Sequence, residues 1–357
     1  MNKRIFGLVI SLLFSQKGFA ETAFATGDAL TSKTWSETVI REALKDIFFA
    51  KFMGKGGYMA QRQGGMPDAN AIIMVKEDLI KGKGDTITIP LRMRLVNDAI
   101  DTENADIEGN EEEMVFHDFS VTVEEKANAV KAKNKMALQR PAFDLRSQFK
   151  DGLKDWLAEY VDIQSVLALS DTPTSQRVIY GGDATSDATI DSSDVMSTSL
   201  ISKAKRKARL STPKIMPIMV EGKPWYVLLL HDYQMKSVRA ESTWQQAQRE
   251  ANVRGNDNPI FSGAAGYWDN VCLHEYERIR NYSTFGSDSL QPGARALLCG
   301  AQALVHAWAQ RPAWYEKLFD YNRIPGVATD LIWKAKKTAF NGQDFGVIAV
   351  DTFIAQD

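Results

Sequence analysis

His274 and Glu275 open in the way a zinc-protease helix does, a histidine followed by a general base. Zinc there needs a second histidine one turn later, on the same helical face. Arg278 stands in that place, so the metal site fails. His231 beside Asp232 pairs an imidazole with a carboxylate, the start of a proton relay. The surrounding pattern reads as a strand, where neighbouring side chains point to opposite faces, so the pair does not converge. The other histidines, His117 and His306, lie far away in sequence. Asp183, Asp187, Asp191 and Asp194 are spaced like a calcium loop. That loop needs Gly at position 6 and Glu at position 12, where this chain has Ala188 and Asp194. A solvated turn is the plainer reading. Gly54, Gly56 and Gly57 lack the third glycine and the βαβ frame of a dinucleotide fingerprint. Neither a G-x-x-x-x-G-K-[ST] phosphate loop nor a G-x-S-x-G nucleophile elbow occurs. Cys272 and Cys299 are the only cysteines, too few for a disulfide scaffold, and read as buried free thiols. The expectation is no catalytic residue, no cofactor and no metal.

Charge offers a second kind of chemistry. Asp101, Glu103, Asp106, Glu108, Glu111, Glu112 and Glu113 follow one another with no Lys or Arg between them. Such density repels itself and seeks solvent or a basic partner. Lys203, Lys205, Arg206, Lys207 and Arg209 interleave with Leu200, Ile201, Ala204, Ala208 and Leu210, an amphipathic helix with one basic face. That face is a solvated surface or a dock for an acidic loop or nucleic acid.

These groups need a frame. The chain has 357 residues, 44% hydrophobic and 25% charged, enough for a sizeable core. Lys+Arg 43 against Asp+Glu 45 gives a net charge of -2, which excludes a strongly basic nucleic-acid binder. Residues 21–75 read as an extended glycine-rich arm, with a short strand at 71–75. Thr86 to Leu95 and Val115 to Val123 alternate with period two, a long hairpin whose tip is the acidic run. Phe149, Leu153, Trp156, Leu157, Tyr160, Val161 and Val166 mark one face of a helix of roughly 25 residues, roughly 37 Å long, with Pro141 suited to its first turn. Residues 215–220 and 225–230 read as a hairpin about Glu221-Gly222. Residues 238–251 read as a helix, 294–308 as a strongly apolar helix, and 346–350 as a final strand.

The N-terminus pulls another way. Lys3 and Arg4, the apolar run Ile5 to Phe14 and Ala23-Phe24-Ala25 match the signal-peptide pattern, and the run is too short to span a bilayer.

Four stretches together resemble a known family. They are Phe24-Ala25-Thr26-Gly27-Asp28-Ala29-Leu30 with Lys33 and Trp35; Met216-Pro217-Ile218 through Trp225-Tyr226-Val227-Leu228-Leu229-Leu230-His231; Asn258-Pro259-Ile260-Phe261-Ser262-Gly263 with Gly266-Tyr267-Trp268; and Asp344-Phe345-Gly346-Val347-Ile348-Ala349-Val350-Asp351-Thr352. In this order they resemble the tailed-phage major capsid protein family, whose fold was first described for phage Hong Kong 97. The resemblance implies an α+β fold: a signal-like extension at 1–20, an N-terminal arm at 21–75 and an extended hairpin loop at 76–135. A peripheral domain with a spine helix follows at 136–189, then an axial domain at 190–335 and a closing C-terminal strand at 336–357.

The resemblance also implies a structural, non-enzymatic subunit. It would form hexamers and pentamers of an icosahedral shell around double-stranded DNA, which it touches weakly and without sequence preference. Its partners would be itself and scaffolding, portal and decoration proteins, with no membrane, and it would assemble in the host cytoplasm. On that reading the acidic residues 101–113 contact the basic surface at 203–209 on an adjacent subunit. Two alternatives stand beside it, an encapsulin-like nanocompartment shell and an exported periplasmic protein. A shell subunit cannot leave the cytoplasm, so residues 1–20 read better as an arm extension or a misplaced start. The intact mass of protein from native particles is therefore expected not to begin at Thr26; a mass beginning there would support export.

Overall fold

The computed structural model describes residues 47–53, 70–92, 95, 106–108, 110–141, 144–220, 222–250 and 264–355. The expectations for 1–46, for the glycine-rich 54–69, for Asp101 and Glu103 and for 258–263 lie outside these residues.

One long helix organises half of the chain. The spine helix α1 runs Leu145–Leu169, 25 residues, as its apolar spacing predicts. Asp144 caps it, its carboxylate accepting from the Arg146 N–H at 3.1 Å, which satisfies an amide that the helix cannot. Pro141 falls before this cap instead of within the first turn. Leu153, Leu157, Val161, Val166 and Leu169 form the buried stripe.

The strands in chain order are β1 Ile73–Lys76, β2 Thr86–Arg92, β3 Phe116–Thr122, β4 Glu124–Lys131, β5 Val178–Tyr180, β6 Ile218–Val220, β7 Lys223–Leu230 and β8 Gly266–Trp268. There follow β9 Val271–Glu275, β10 Asn281–Phe285, β11 Gln291–Cys299, β12 Leu304–Phe319, β13 Ile324–Lys337, β14 Ala339–Phe340, β15 Gln343–Asp344 and β16 Val347–Phe353. The first sheet has the order β1-β12-β13-β4. Trp308 and Trp333 stack at 5.1 Å on it and join the cluster that holds Leu157 and Val161 of α1. The β2–β3 hairpin pairs in register from Thr86↔Thr122 to Arg92↔Phe116. Its base buries Ile87, Phe119 and Val121 against Val305 and Ala307 of β12.

The second sheet has the order β5-β16-β11-β7-β9-β8, with β10 added on β11 and β6 on β7. Helices α2 (Thr198–Leu210), α3 (Asp232–Ala240) and α4 (Ser242–Glu250) cover one face. Tyr226, Leu228, Leu230, Ala296, Leu298 and Ile348 point into that layer. The alternate residues Val227, Leu229, Cys272, Leu297, Cys299 and Val347 point the other way, into the cluster of the spine helix.

This two-sided burial corrects the reading of 294–308 as a helix. The segment is the end of β11, a turn, and the start of β12. Both faces of these strands are buried, so the sequence shows a continuous apolar run with no alternation, which periodicity cannot separate from a buried helix. The helix expected at 238–251 is likewise two. It starts earlier, at Asp232, and breaks at Glu241, which is extended. The Glu241 carboxylate accepts from the backbone N–H and the hydroxyl of Thr198, both at 2.8 Å, tying the break to the start of α2. Residues 304–335, within the segment 190–335 expected to be axial, pair in the first sheet and pack on the spine helix.

The two sheets meet where the turn between β11 and β12 touches the chain entering β16. The Gly300 N–H donates to the Gly346 carbonyl at 2.9 Å. A Cβ on Gly346 would lie 2.5 Å from Ala303 Cα, so two backbones are in direct contact there.

Arg295 of β11 and Asp351 of β16 are register partners, joined by two hydrogen bonds of 2.7 Å in the interior. Removing one partner of such a pair strands a buried charge. Arg295→Met is therefore expected to cost about 3–5 kcal/mol in urea unfolding of the unassembled chain, and Arg295→Met with Asp351→Leu to recover most of that loss.

Candidate assembly surfaces

Among the sequence-selected acids, Asp101 and Glu103 lie outside the described residues. Asp106, Glu108, Glu111 and Glu113 are exposed and Glu112 is half-buried, on the segment between β2 and β3. A turn orders its start: the Asn110 side-chain amide donates to the Asp106 carbonyl at 2.7 Å and its N–H to the Ile107 carbonyl at 3.1 Å. Ile107, Met114, Val115 and Phe116 are exposed beside the acids. The excursion thus presents apolar and acidic side chains together, outside its own core.

The basic helix forms as predicted, capped by the Ser197 hydroxyl, which accepts from the Leu200 N–H at 3.3 Å. Its positive charges divide into two sets. Lys203, Arg206 and Arg209 are exposed at three-residue spacing, one face of the helix. Lys205 reaches Asp269 at 2.6 Å, and the Lys207 ammonium donates to the Val178 carbonyl at 2.6 Å. Burial, then the nearby Lys203 and Arg177, holds Lys207 below the ordinary lysine range. The acidic excursion hangs from the hairpin on the first sheet, whereas this helix packs on the second.

Three of the histidines have partners within the fold. His231 is not a strand residue but the cap of α3: its Nδ1 accepts from the Tyr233 N–H at 3.2 Å. Burial lowers its pKa. His306 is fully buried, hydrogen-bonded to Ser165 at 3.0 Å, and burial pushes it down to about 3, so it is neutral. His274 lies 3.4 Å from the Cys272 sulfur, an arrangement that looks like a nucleophile and its base. A reactive cysteine has a depressed pKa. Burial instead pushes the Cys272 thiol up to about 12, and the Cys299 thiol equally, and neither sulfur is in a disulfide.

Sequence reasoning missed what surrounds His274. Lys51 lies 3.2 Å from the His274 Nδ1 and 4.0 Å above the Phe48 ring. Asp162 of the spine helix accepts from the N–H groups of Phe48 and Phe49, at 2.9 and 3.3 Å. Phe48 stacks on Tyr276 at 4.2 Å. Residues 48–52 form a 3-10 turn, and this polar pocket fastens it between α1 and β9. The one available signal was Asp162 itself, an acid on the apolar stripe beside Val161. Among the described residues no group of His, Cys, Asp or Glu is arranged to hold a metal, the calcium-like aspartates included.

A covered sheet, a long helix beneath a second sheet, and a hairpin that ends outside the core define a shell subunit of the tailed-phage capsid type, an α+β fold. The solved capsid of Ralstonia phage GP4 is similar, with a TM-score of 0.76 and 30% identity over 87% of this chain and 92% of that one. The cyanophage Pam1 capsid shares the fold, with a TM-score of 0.70 at 24% identity over 81% of this chain and 90% of that one. The major capsid protein of Pseudomonas phage KPP25 is 27% identical over 88% of this chain and 93% of its own length. The family model for phage capsid protein matches residues 23–182 and 172–356. The chain belongs to the phage capsid protein family, and its place is the virion capsid.

Burial raises Asp162 to about 6 from an ordinary 3.8, against the pull of its two N–H partners. Between those values the folded chain holds a proton that the unfolded chain has lost, so stability falls as pH rises from about 4 to about 6. Asp162→Asn is expected to flatten that fall, measured by urea unfolding of the unassembled chain from pH 4 to pH 7.

Proposed function

We propose that this chain is the major structural subunit of an icosahedral shell of hexamers and pentamers around double-stranded DNA, assembled in the host cytoplasm. The carrying observation is the family match across both parts of the chain, joined to an acidic, partly apolar excursion that has no core of its own to enter. Its work is repeated interface contact between copies, not catalysis. A net charge of -2 suits a wall that tolerates packaged DNA without gripping it. Scaffolding, portal and decoration proteins are its expected heterologous partners.

Residues 101–113 reach an adjacent subunit and meet the exposed basic face of α2. Lys203, Arg206 and Arg209 carry that contact, because Lys205 and Lys207 are engaged within their own subunit. Relatives that are phage capsid proteins favour a DNA shell over an enzyme-filled nanocompartment.

Electron microscopy of the expressed chain is expected to show closed particles, and particles from infected cells to carry nuclease-protected DNA; a stable monomer would overturn the shell reading. Reversing Glu111, Glu112 and Glu113 to Lys is expected to reduce particle yield at least tenfold, and Glu at 203, 206 and 209 in the same chain to restore it. Normal yield from the first variant would reject the pairing.

A further inference from the structure

The β12–β13 hairpin carries a second surface, on its outer turn and on the face away from the spine helix. Beyond the spine helix the hairpin runs out to the turn 320–323. Asp320, Tyr321 and Asn322 all adopt positive φ, of 50°, 52° and 63°. Asp and Asn visit that region with local hydrogen bonds to help, but a bulky aromatic does so rarely. The turn is held by an ion pair of Arg323 with Asp320 and by the Arg323 N–H, which donates to the Phe319 carbonyl at 3.1 Å. Its effect is to hold Tyr321 outward, 97% exposed.

The same hairpin is also hollow. On the face away from the spine helix, Ala129 of β4 pairs with Ala328 of β13, and Ala328 with Tyr315 of β12. These small residues floor a trough of about 280 Å³, walled by Tyr315 and Phe319. Gly326 lets the Phe319 ring lie flat on the strand, since a Cβ there would come within 2.6 Å of it. Lys131 and Lys317 stand over that ring at 5.6 and 5.3 Å and make the rim positive. An aromatic knob next to an acid therefore projects from the same element that offers an aromatic-walled, lysine-rimmed hole.

We propose that Tyr321 of one subunit seats in the β12–β13 trough of a neighbouring copy of this chain, with Asp320 shared between its own Arg323 and the Lys131 and Lys317 rim. This rests on the shell reading above. Knob and hole lie on one hairpin, so two copies can engage reciprocally across a two-fold axis, or successive copies head-to-tail around a closed ring. Size limits what the contact can hold by itself. A buried aromatic contributes about 150–250 Å², far below the roughly 800 Å² per partner of a stable two-body interface. The contact therefore forms within a shell that other surfaces already hold together.

Because Tyr321 is exposed, it can be replaced without touching the core. Full-length chain with p-benzoylphenylalanine in place of Tyr321 would be assembled from mixed ¹⁵N-labelled and unlabelled protein and irradiated. The expected result is a cross-link between labelled and unlabelled copies, mapping to 129–131, 315–319 or 326–328 of the partner. Tyr321→Ala particles should dissociate at lower temperature than wild type, and Tyr321→Phe particles should not. Particles that assemble but cross-link elsewhere, or not at all, overturn this contact and leave the shell reading standing. A chain that stays monomeric overturns both.

Discussion

The central sheet is covered on both faces by layers of different kinds, and the rest of the molecule follows from that. Each strand of β7, β9, β11 and β16 sends alternate residues into the layer of α2, α3 and α4 and the others toward the spine helix. At about 25 cal/mol per Å² of apolar surface, the two layers supply most of the force that orders the chain. A polar group inside is then costly unless it is hydrogen-bonded. Arg295 with Asp351, 56 positions apart, and Lys337 with Asp344 at 3.0 Å, nearer in the chain, meet that condition.

Polar chemistry in the interior is consequently spent on attachment. The Cys272–His274–Lys51 row has the residue types of a catalytic site but the wrong electrostatics. Burial holds Lys51 down at about 8, but it also pushes the Cys272 thiol up to about 12, away from the thiolate that nucleophilic chemistry needs. What the pocket accomplishes is to fix residues 48–52 against the spine helix, and so to set where the preceding chain leaves the body.

Elements with one buried face were legible in the sequence. The spine helix, the β2–β3 hairpin and α2 each show their period because solvent marks the other side. Residues 294–308 were not, since strands without a wet face lose the alternation that distinguishes them from a helix. Glu241 looks like an ordinary helical residue until Thr198 arrives from another segment to claim its carboxylate. The site was half legible for the same reason. The basic stripe of α2 could be read, but not that Asp269 and the Val178 carbonyl would draw Lys205 and Lys207 away from it. Asp162 and Lys51 stand 111 positions apart, and only the fold brings them into one pocket.

The contact of Gly346 with Ala303 has a mechanical meaning. Close-packed backbones with no side chain between them have nothing to slide on, and interiors of this density transmit strain instead of absorbing it. The two sheets are thus welded at the point where the chain passes from one to the other. The β12–β13 hairpin and the central sheet are therefore joined through this contact with no soft layer between them.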